Sequence, residues 1–441
     1  MIARVHLALI GVLLAPVVAR PDDWPGWMGP QRDGVYRETG IVNKVPPEGL
    51  PVKWRKPIHG GFAGPAVAAG RVFVHDFRRN DGAKVANSLK GGKVDGKERL
   101  LVLDERTGEQ LWQHSYRCTY TVDYPYGPRC TPEIDGDRVY LLGSEGDLKC
   151  LQVEDGKVVW SRHLQRDFGA KVQMWGFASH PLIVDDLLYT MVGGDGQAVV
   201  AFDKSTGRTR WKALDARAGY APPTIIEAGG RRQLIVFHAT AVASLNPQDG
   251  SRYWDVPFRA AYDMSICRPM IEGKKMFITG NTGSIMVELA GDQPAVKELW
   301  RGKRGSSSIQ AANATPLFVD GVIYGTDHQS GRLIAARGED GKRLWETFEA
   351  TKPGETRFVK EGTAFLTRIR DTDRYLVMSE TGDLLMARLT ADGYEDLGRM
   401  HVLEPTQFAK GHRVLWSHPA YANRTAYIRN DKEIVAVDLE K

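Results

Sequence analysis

The chain has 441 residues, in which Lys plus Arg outnumber Asp plus Glu by only 59 to 54. A surplus so small and so scattered excludes the basic surface that nucleic acid demands. The length would suit two or three ordinary domains, but a repeat running nearly end to end argues for one large ring.

The first element in chain order is a leader. MIARVHLALIGVLLAPVVAR carries Arg4, an apolar stretch from Leu7 to Val18, and small residues Val17 and Ala19 at suitable cleavage positions, so residues 1–19 read as a signal peptide. The stretch is short for a membrane span, which takes about 20 residues. Retention as an uncleaved anchor is the other reading, and nothing later is long and apolar enough to span. The expected location is the periplasm or cell envelope, with no transmembrane segment after the signal is removed. Residues 20–49 form an N-terminal arm, and LPVKW at 50–54 reads as a Trp-ended strand without a blade of its own.

From there tryptophan recurs at Trp112, Trp160, Trp211, Trp254, Trp300 and Trp345, 43 to 51 residues apart. Most close one phrase: TGEQLW, DGKVVW, TGRTRW, DGSRYW and DGKRLW, with KELW before Trp300 lacking the glycine. One aromatic per unit of this length is the mark of propeller blades. Residues 132–160 serve as the type unit, with four short β-patterned runs separated by Asp-Gly, Glu-Gly and Asp-Gly turns. The grammar returns at 181–211, 222–254, 269–300 and 316–345. A longer copy runs from Pro65 to Trp112, a weaker one from Glu361 to Leu397, and a partial one from Pro419 that stops before a fourth strand. The fold expected is all-β, an eight-bladed propeller of four-stranded antiparallel blades over 50–441, in which strand 50–56 completes the last blade, 419–441, and removes an open edge. Each repeat Trp is expected to pack on the neighbouring blade.

Blade 1 carries an insertion from about Asp76 to Arg99 that reads either as a solvated loop with no role or as a flexible basic flap over the funnel face. Cys118 and Cys130 flank one loop, where a disulfide and two separate thiols fit equally well. The four cysteines match no zinc pattern.

The loops that precede the innermost strands are where the chain stops being economical: YTVDYPYGPRCTP, QMWGFASHP, AGYAPP, AYDMSICRP, QAANATP and RVLWSHP. Strand order brings them together at the centre of one face, in a funnel. Tyr124, Tyr126, Trp175, Tyr220, Tyr262 and Trp416 are its candidate aromatic lining. Asp123, Arg129, Asp263, Arg268, Asn313, His412 and His418 are its candidate polar groups. Aromatic walls with a few convergent charges suit a binding site; the same residues could instead plug the channel and pair with one another. No GxSxG, HExxH, Walker or EF-hand phrase is present.

The repeats resemble the pyrroloquinoline quinone (PQQ)-type propeller repeat, whose Asp-to-Trp phrase is matched by Asp104 to Trp112 and Asp203 to Trp211. The arm is similar to that of exported PQQ-like propellers of planctomycete-type bacteria, through Trp24, Pro25, Trp27, Gly29 and Pro30, followed by Arg32, Asp33 and Gly34. Two branches are implied. Quinoprotein alcohol dehydrogenases use PQQ and Ca²⁺, often with a disulfide between adjacent cysteines, and no two cysteines are adjacent here. Arg129 or Arg268 would pair with quinone carboxylates and Trp175 would stack on the quinone, while Asp123, Asp263, Gln310 and Asn313 are the oxygen donors on offer. The branch of BamB, from the outer-membrane β-barrel assembly machinery, is a scaffold without cofactor; its lipobox cysteine is missing here. The compact blades favour the scaffold. The expectation is a monomeric, non-catalytic propeller without cofactor that binds a protein or small ligand at its funnel, with a PQQ- and Ca²⁺-dependent dehydrogenase and a carbohydrate-binding propeller as alternatives.

Overall fold

A computed structural model describes residues 23–80, 92–303 and 308–441. The signal-peptide expectation falls on residues outside these. Regular structure among the described residues is almost all strand, with one short α-helix, Leu164–Phe168, and one 3-10 turn, Ala261–Asp263. Eight four-stranded antiparallel blades follow one another around a ring, their innermost strands beginning at Ala66, Glu133, Leu182, Thr224, Met270, Leu317, Ala364 and Ala420. We number the blades 1 to 8 in that order. Blade 8 takes its outermost strand, Val52–Pro57, from the other end of the chain: Val52 pairs with Val437 and Arg55 with Val435. The ring therefore closes as the orphan strand LPVKW predicts.

The repeated phrase explains itself in the packing. Six of the seven repeat indoles donate to a carbonyl of the next blade, among them Trp54 to Glu105 at 3.0 Å, Trp112 to Val153 at 3.1 Å, Trp160 to Lys204 at 2.8 Å and Trp211 to Pro247 at 3.0 Å. The glycine of the next phrase lies flat against that ring. Gly207 has φ +67°, and a Cβ there would stand 2.7 Å from the Trp160 ring; Gly156 meets Trp112 at 2.6 Å in the same way. Trp and Gly are thus one contact made between consecutive repeats. Trp254 packs in one cluster with the next blade but departs in its hydrogen bond, donating at 2.9 Å to Gln233 of its own blade. The blade that it faces is the one whose phrase, KELW, has no glycine to receive it.

Two readings left open by the sequence become specific. Among its described residues the insertion of blade 1 is mostly strand: Arg71–Arg79 stays paired with Val94–Asp104 out to Arg79 and Gly96, and Val94 reaches Tyr120 of the outermost strand, so the blade is lengthened. Residues 81–91, the centre of the expected flap, lie outside the described residues. Cys118, Cys130, Cys150 and Cys267 are all buried free thiols, so the loop before blade 2 has no disulfide. Burial pushes their pKa values up, which leaves them unreactive.

The arm enters the ring. Trp24 bridges to Val67 of blade 1, and the Pro25 carbonyl accepts from Ile134 of blade 2 at 2.8 Å. Val35–Tyr36 adds a parallel fifth strand to the axial side of blade 7, and Ile41 bridges to Glu440 beyond blade 8. Trp24, Trp27 and Met28 are buried on this path. The phrase read as a family resemblance is, in three dimensions, a plug through the centre of the propeller.

Candidate functional site: a funnel floored by the arm

Above the plug lies a cavity with about 1000 Å³ of space between its walls, the open mouth included. Every inter-blade connection contributes to it: Phe62, Tyr124 and Arg129, Trp175 and His180, Tyr220, Met264 and Ile266, Asn313 and Thr315, Glu361, and Lys410, Trp416 and His418. Trp27 of the arm is the floor. The lining is mostly apolar and aromatic, with Trp175 edge-on to Tyr220 at 5.6 Å.

The candidate residues separate into those that line this cavity and those that support it. Tyr124, Arg129, Trp175, Tyr220, Asn313, Trp416 and His418 line it. Tyr126 is a strut: its ring meets Phe62 edge-on, and its hydroxyl accepts from the Phe408 N–H at 3.0 Å. Asp123 is held by its backbone, with its N–H on Met174 and its carbonyl on Arg129, both close to 2.8 Å. Tyr262 and Asp263 line a second, outer depression on the same face, where Asp263 pairs with Arg217 at 2.7 Å. Arg268 turns toward the plug, donating to the Arg32 carbonyl and to Thr224 Oγ1; burial and the Arg32 charge bring its pKa down to about 10.

His412 belongs to a hairpin between blades 7 and 8, Gln407–Ala409 with His412–Val414, which leans over the funnel. Its imidazole meets Glu380 Oε1 at 3.1 Å, and this hydrogen bond raises its pKa. Trp416 donates to the other oxygen of Glu380 at 3.0 Å, so one buried carboxylate fixes both the hairpin and a funnel wall. At the hairpin's turn Lys410 reaches buried Glu361 at 3.2 Å. Glu361, Lys410, Phe62 and Trp27 escaped the sequence reading, since none lies in the loop phrases that drew attention. His180 did lie in one, QMWGFASHP, yet it carried no mark beyond its position.

The charges around the funnel are held by protein groups. Arg129 donates to the carbonyls of Asp123, Tyr124 and Gly127 and to Ser144, and its guanidinium covers the Phe62 ring at 5.1 Å. Both candidate arginines thus direct their donors at backbone carbonyls. The candidate oxygen donors do not converge: Asp263 stands in the outer depression, while Asn313 is in the central wall and donates to Thr363 at 3.3 Å. Gln310 is buried, and Asp123 is outside the lining. Among the described residues no group of three or more His, Cys, Asp or Glu is disposed to hold a metal ion. This donor set does not fit a calcium cage, which takes six to eight oxygens at roughly 2.3–2.6 Å.

At the floor, His180 and His418 flank Trp27, with ring centroids 5.1 and 5.8 Å away. Burial holds both imidazoles neutral, His180 well below its ordinary range and His418 down to about 3.

Ring and funnel together define a PQQ-like eight-bladed propeller. The chain belongs to the family described as outer membrane protein assembly factor BamB, whose model matches residues 51–172 and 96–347. It is 22% identical over 236 residues to the BamB of Moranella endobia (strain PCIT), covering 48% of this chain and 56% of that one. It is 23% identical over 259 residues to a polyvinylalcohol dehydrogenase of a Pseudomonas species, covering 44% and 40%. The matches thus span about half the length of these curated relatives. Among solved structures, BamB from Moraxella catarrhalis aligns over 88% of this chain and 97% of its own with a TM-score of 0.57 and 13% identity. Quinohemoprotein alcohol dehydrogenase from Comamonas testosteroni aligns over 96% and 81% with a TM-score of 0.62 and 13% identity. At such identity the likeness concerns the fold.

Proposed function

We propose that the protein is a monomeric, non-catalytic binding scaffold of the cell envelope that holds a protein partner or small ligand at its funnel. The observation that carries this reading is the division of labour in the cavity: six of the eight connections supply apolar and aromatic wall, while the nearby guanidiniums and carboxylates are engaged by protein groups. Such a site binds by shape and stacking rather than by polarising a reacting bond. Membership in a family named for outer-membrane protein assembly supports the envelope location and the scaffold role.

The rival reading is a PQQ-dependent dehydrogenase, favoured by the similarity to polyvinylalcohol and quinohemoprotein dehydrogenases. Incubating the purified protein with PQQ and Ca²⁺, and following cofactor absorbance together with dye-linked oxidation of an alcohol, separates the two. The scaffold reading expects neither stoichiometric uptake nor turnover. Uptake with turnover that disappears in Asp263→Ala would overturn it.

A further inference from the structure

Two neighbouring connections of the funnel face, 348–363 between blades 6 and 7 and 402–419 between blades 7 and 8, touch where Lys410 reaches Glu361 at 3.2 Å. Both side chains line the funnel, so this contact is part of its lip. Each connection exposes a phenylalanine close by: Phe358, three residues before Glu361, is 61% exposed, and Phe408, two before Lys410, is 40% exposed. No other described phenylalanine is exposed. Most of the remaining large exposed hydrophobics, such as Leu111, Val159 and Leu344, lie on outermost strands instead.

The charges of this lip do not balance. All four acids of the two connections are engaged: Glu355 by Lys352 at 3.1 Å, Glu361 by Lys410, Glu349 by Arg399 at 3.9 Å and Glu404 by His401 at 3.1 Å. Arg357, Lys360 and Arg413 are left over, each exposed and without an acidic partner among the described residues. Burial is the main cause that lowers the His328 pKa, and the charges of Lys410 and Lys360 both add to it, so cations of both connections act on one place. The outer depression across the ring is different, because Lys171, Arg217 and Arg259 share it with Asp195 and Asp263. Exposed aromatic rings and unmatched positive charge in one patch call for a partner that brings apolar surface and negative charge together.

Resting on the scaffold reading above, we propose that this lip docks an acidic segment of a partner protein, whose carboxylates meet Arg357, Lys360 and Arg413 while an aromatic side chain of the segment packs on Phe358 and Phe408 at the funnel mouth. Other partners satisfy only part of the patch. A free inorganic anion would leave both phenylalanines in water. An anionic bilayer would meet the charges and the two rings, but a flat surface leaves the concave wall of Trp175, Trp416 and Tyr124 unfilled. A length of chain can follow that wall inward.

The test uses three fluorescein-labelled peptides: Asp-Glu-Asp-Phe-Asp-Glu-Asp, the same peptide with Ala in place of Phe, and Lys-Arg-Lys-Phe-Lys-Arg-Lys. Each is titrated with the full chain while anisotropy is followed. The acidic Phe peptide should bind about tenfold more tightly than its Ala counterpart and should weaken as salt is added, and the basic peptide should not saturate. Reversing the lip charges, with Arg357→Glu, Lys360→Glu and Arg413→Glu together, should weaken the acidic peptide about tenfold or more. Lys171→Glu with Arg259→Glu, the same kind of change in the outer depression, should weaken it less than about threefold. Phe358→Ser with Phe408→Ser should remove the preference for Phe over Ala. All seven positions are exposed, so the thermal midpoints should hold. Equal binding of the acidic and basic peptides, no saturable binding of the acidic Phe peptide, or equal losses from the two charge reversals would each overturn the proposal. Binding of phosphatidylglycerol vesicles at the lip without binding of the peptide would overturn it in favour of a membrane surface. Those outcomes leave the scaffold reading standing. Quinone uptake with turnover removes that reading whatever the peptides do.

Discussion

The two halves of the central channel share the same inner strands, yet they are filled on opposite principles. In the lower half the arm is tied to the inner strands by an ion pair and hydrogen bonds. Arg32 pairs with Glu133 at 3.0 Å and donates to the Pro181 carbonyl at 2.8 Å, while the Trp27 N–H meets Glu133 at 3.3 Å. In the upper half the walls are mostly aromatic and apolar, and the charges are held by their own loops. Apolar wall left in water costs free energy that a plug recovers and an open funnel does not. The difference teaches where folding has finished and where binding remains to be done.

The largest break in this contrast should come from Arg32→Ala. It leaves Glu133 buried without its cation, and its pKa is already up at about 7 because desolvation outweighs the Arg32 attraction. Denaturant unfolding at about pH 9, where the native carboxyl is ionised, should show a loss of about 3–5 kcal/mol. Adding Glu133→Gln should recover a large part of it, since the uncompensated charge rather than the lost contact is the main penalty. A loss below about 1 kcal/mol would mean that the plug is only resting in the ring.

Next in size is a paired test of the ring itself. Gly207→Ala and Gly273→Ala share the left-handed backbone, with φ of +67° and +57°, which alone costs about 1 kcal/mol. Only Gly207 has an indole against it, whereas a Cβ at Gly273 meets nothing within 4 Å. Thermal unfolding should therefore show Gly207→Ala worse by about 1–3 kcal/mol, the usual penalty for overpacking. Equal losses would mean that the Trp-Gly contact is a repeat signature without energetic weight.

That contact also explains what could be read from the sequence. Trp and Gly recur because each repeat must receive its neighbour's indole, so blade number, blade order and even closure by Trp54 were legible in spacing alone. The funnel aromatics were legible because their loops break the repeat's economy. The plug was not, although its phrase was visible. Its partners stand 106 residues from Trp27 at Glu133 and 149 from Arg32 at Pro181, and no local pattern encodes contacts at that range. Nor does a loop sequence say which way a side chain turns. Tyr126 and His412 read like lining and serve as struts, while Lys410 and Glu361, on separate connections, meet only in the folded ring.

The funnel floor should also shape acid stability. His418 takes its proton at about 3 when folded and near 6.5 when unfolded. Between those values the unfolded chain holds more protons, so this contribution is fully present above pH 6.5 and is lost as pH falls. At pH 5 the loss from His418 is about 2 kcal/mol by linkage, with His180 acting in the same direction. His418→Phe, beside the Phe365 ring at 4.1 Å, should flatten the acid limb of a stability-against-pH curve. An unchanged limb would show that the floor is hydrated.

The smallest effect is expected at the hairpin, and it has the opposite sign. The Glu380 hydrogen bond raises the folded pKa of His412 above its ordinary value. Its contribution is therefore fully present below pH 6.5 and fades as pH rises through the raised value. His412 is partly exposed, so the stake is under about 1 kcal/mol. Global unfolding is a poor gauge of so small a term, but Trp416 shares the same carboxylate and reports on it directly. Its fluorescence should shift as pH rises through neutrality, and the shift should vanish in His412→Gln. A transition that survives this substitution would locate the titrating group elsewhere and separate the hairpin from the funnel wall it is taken to brace.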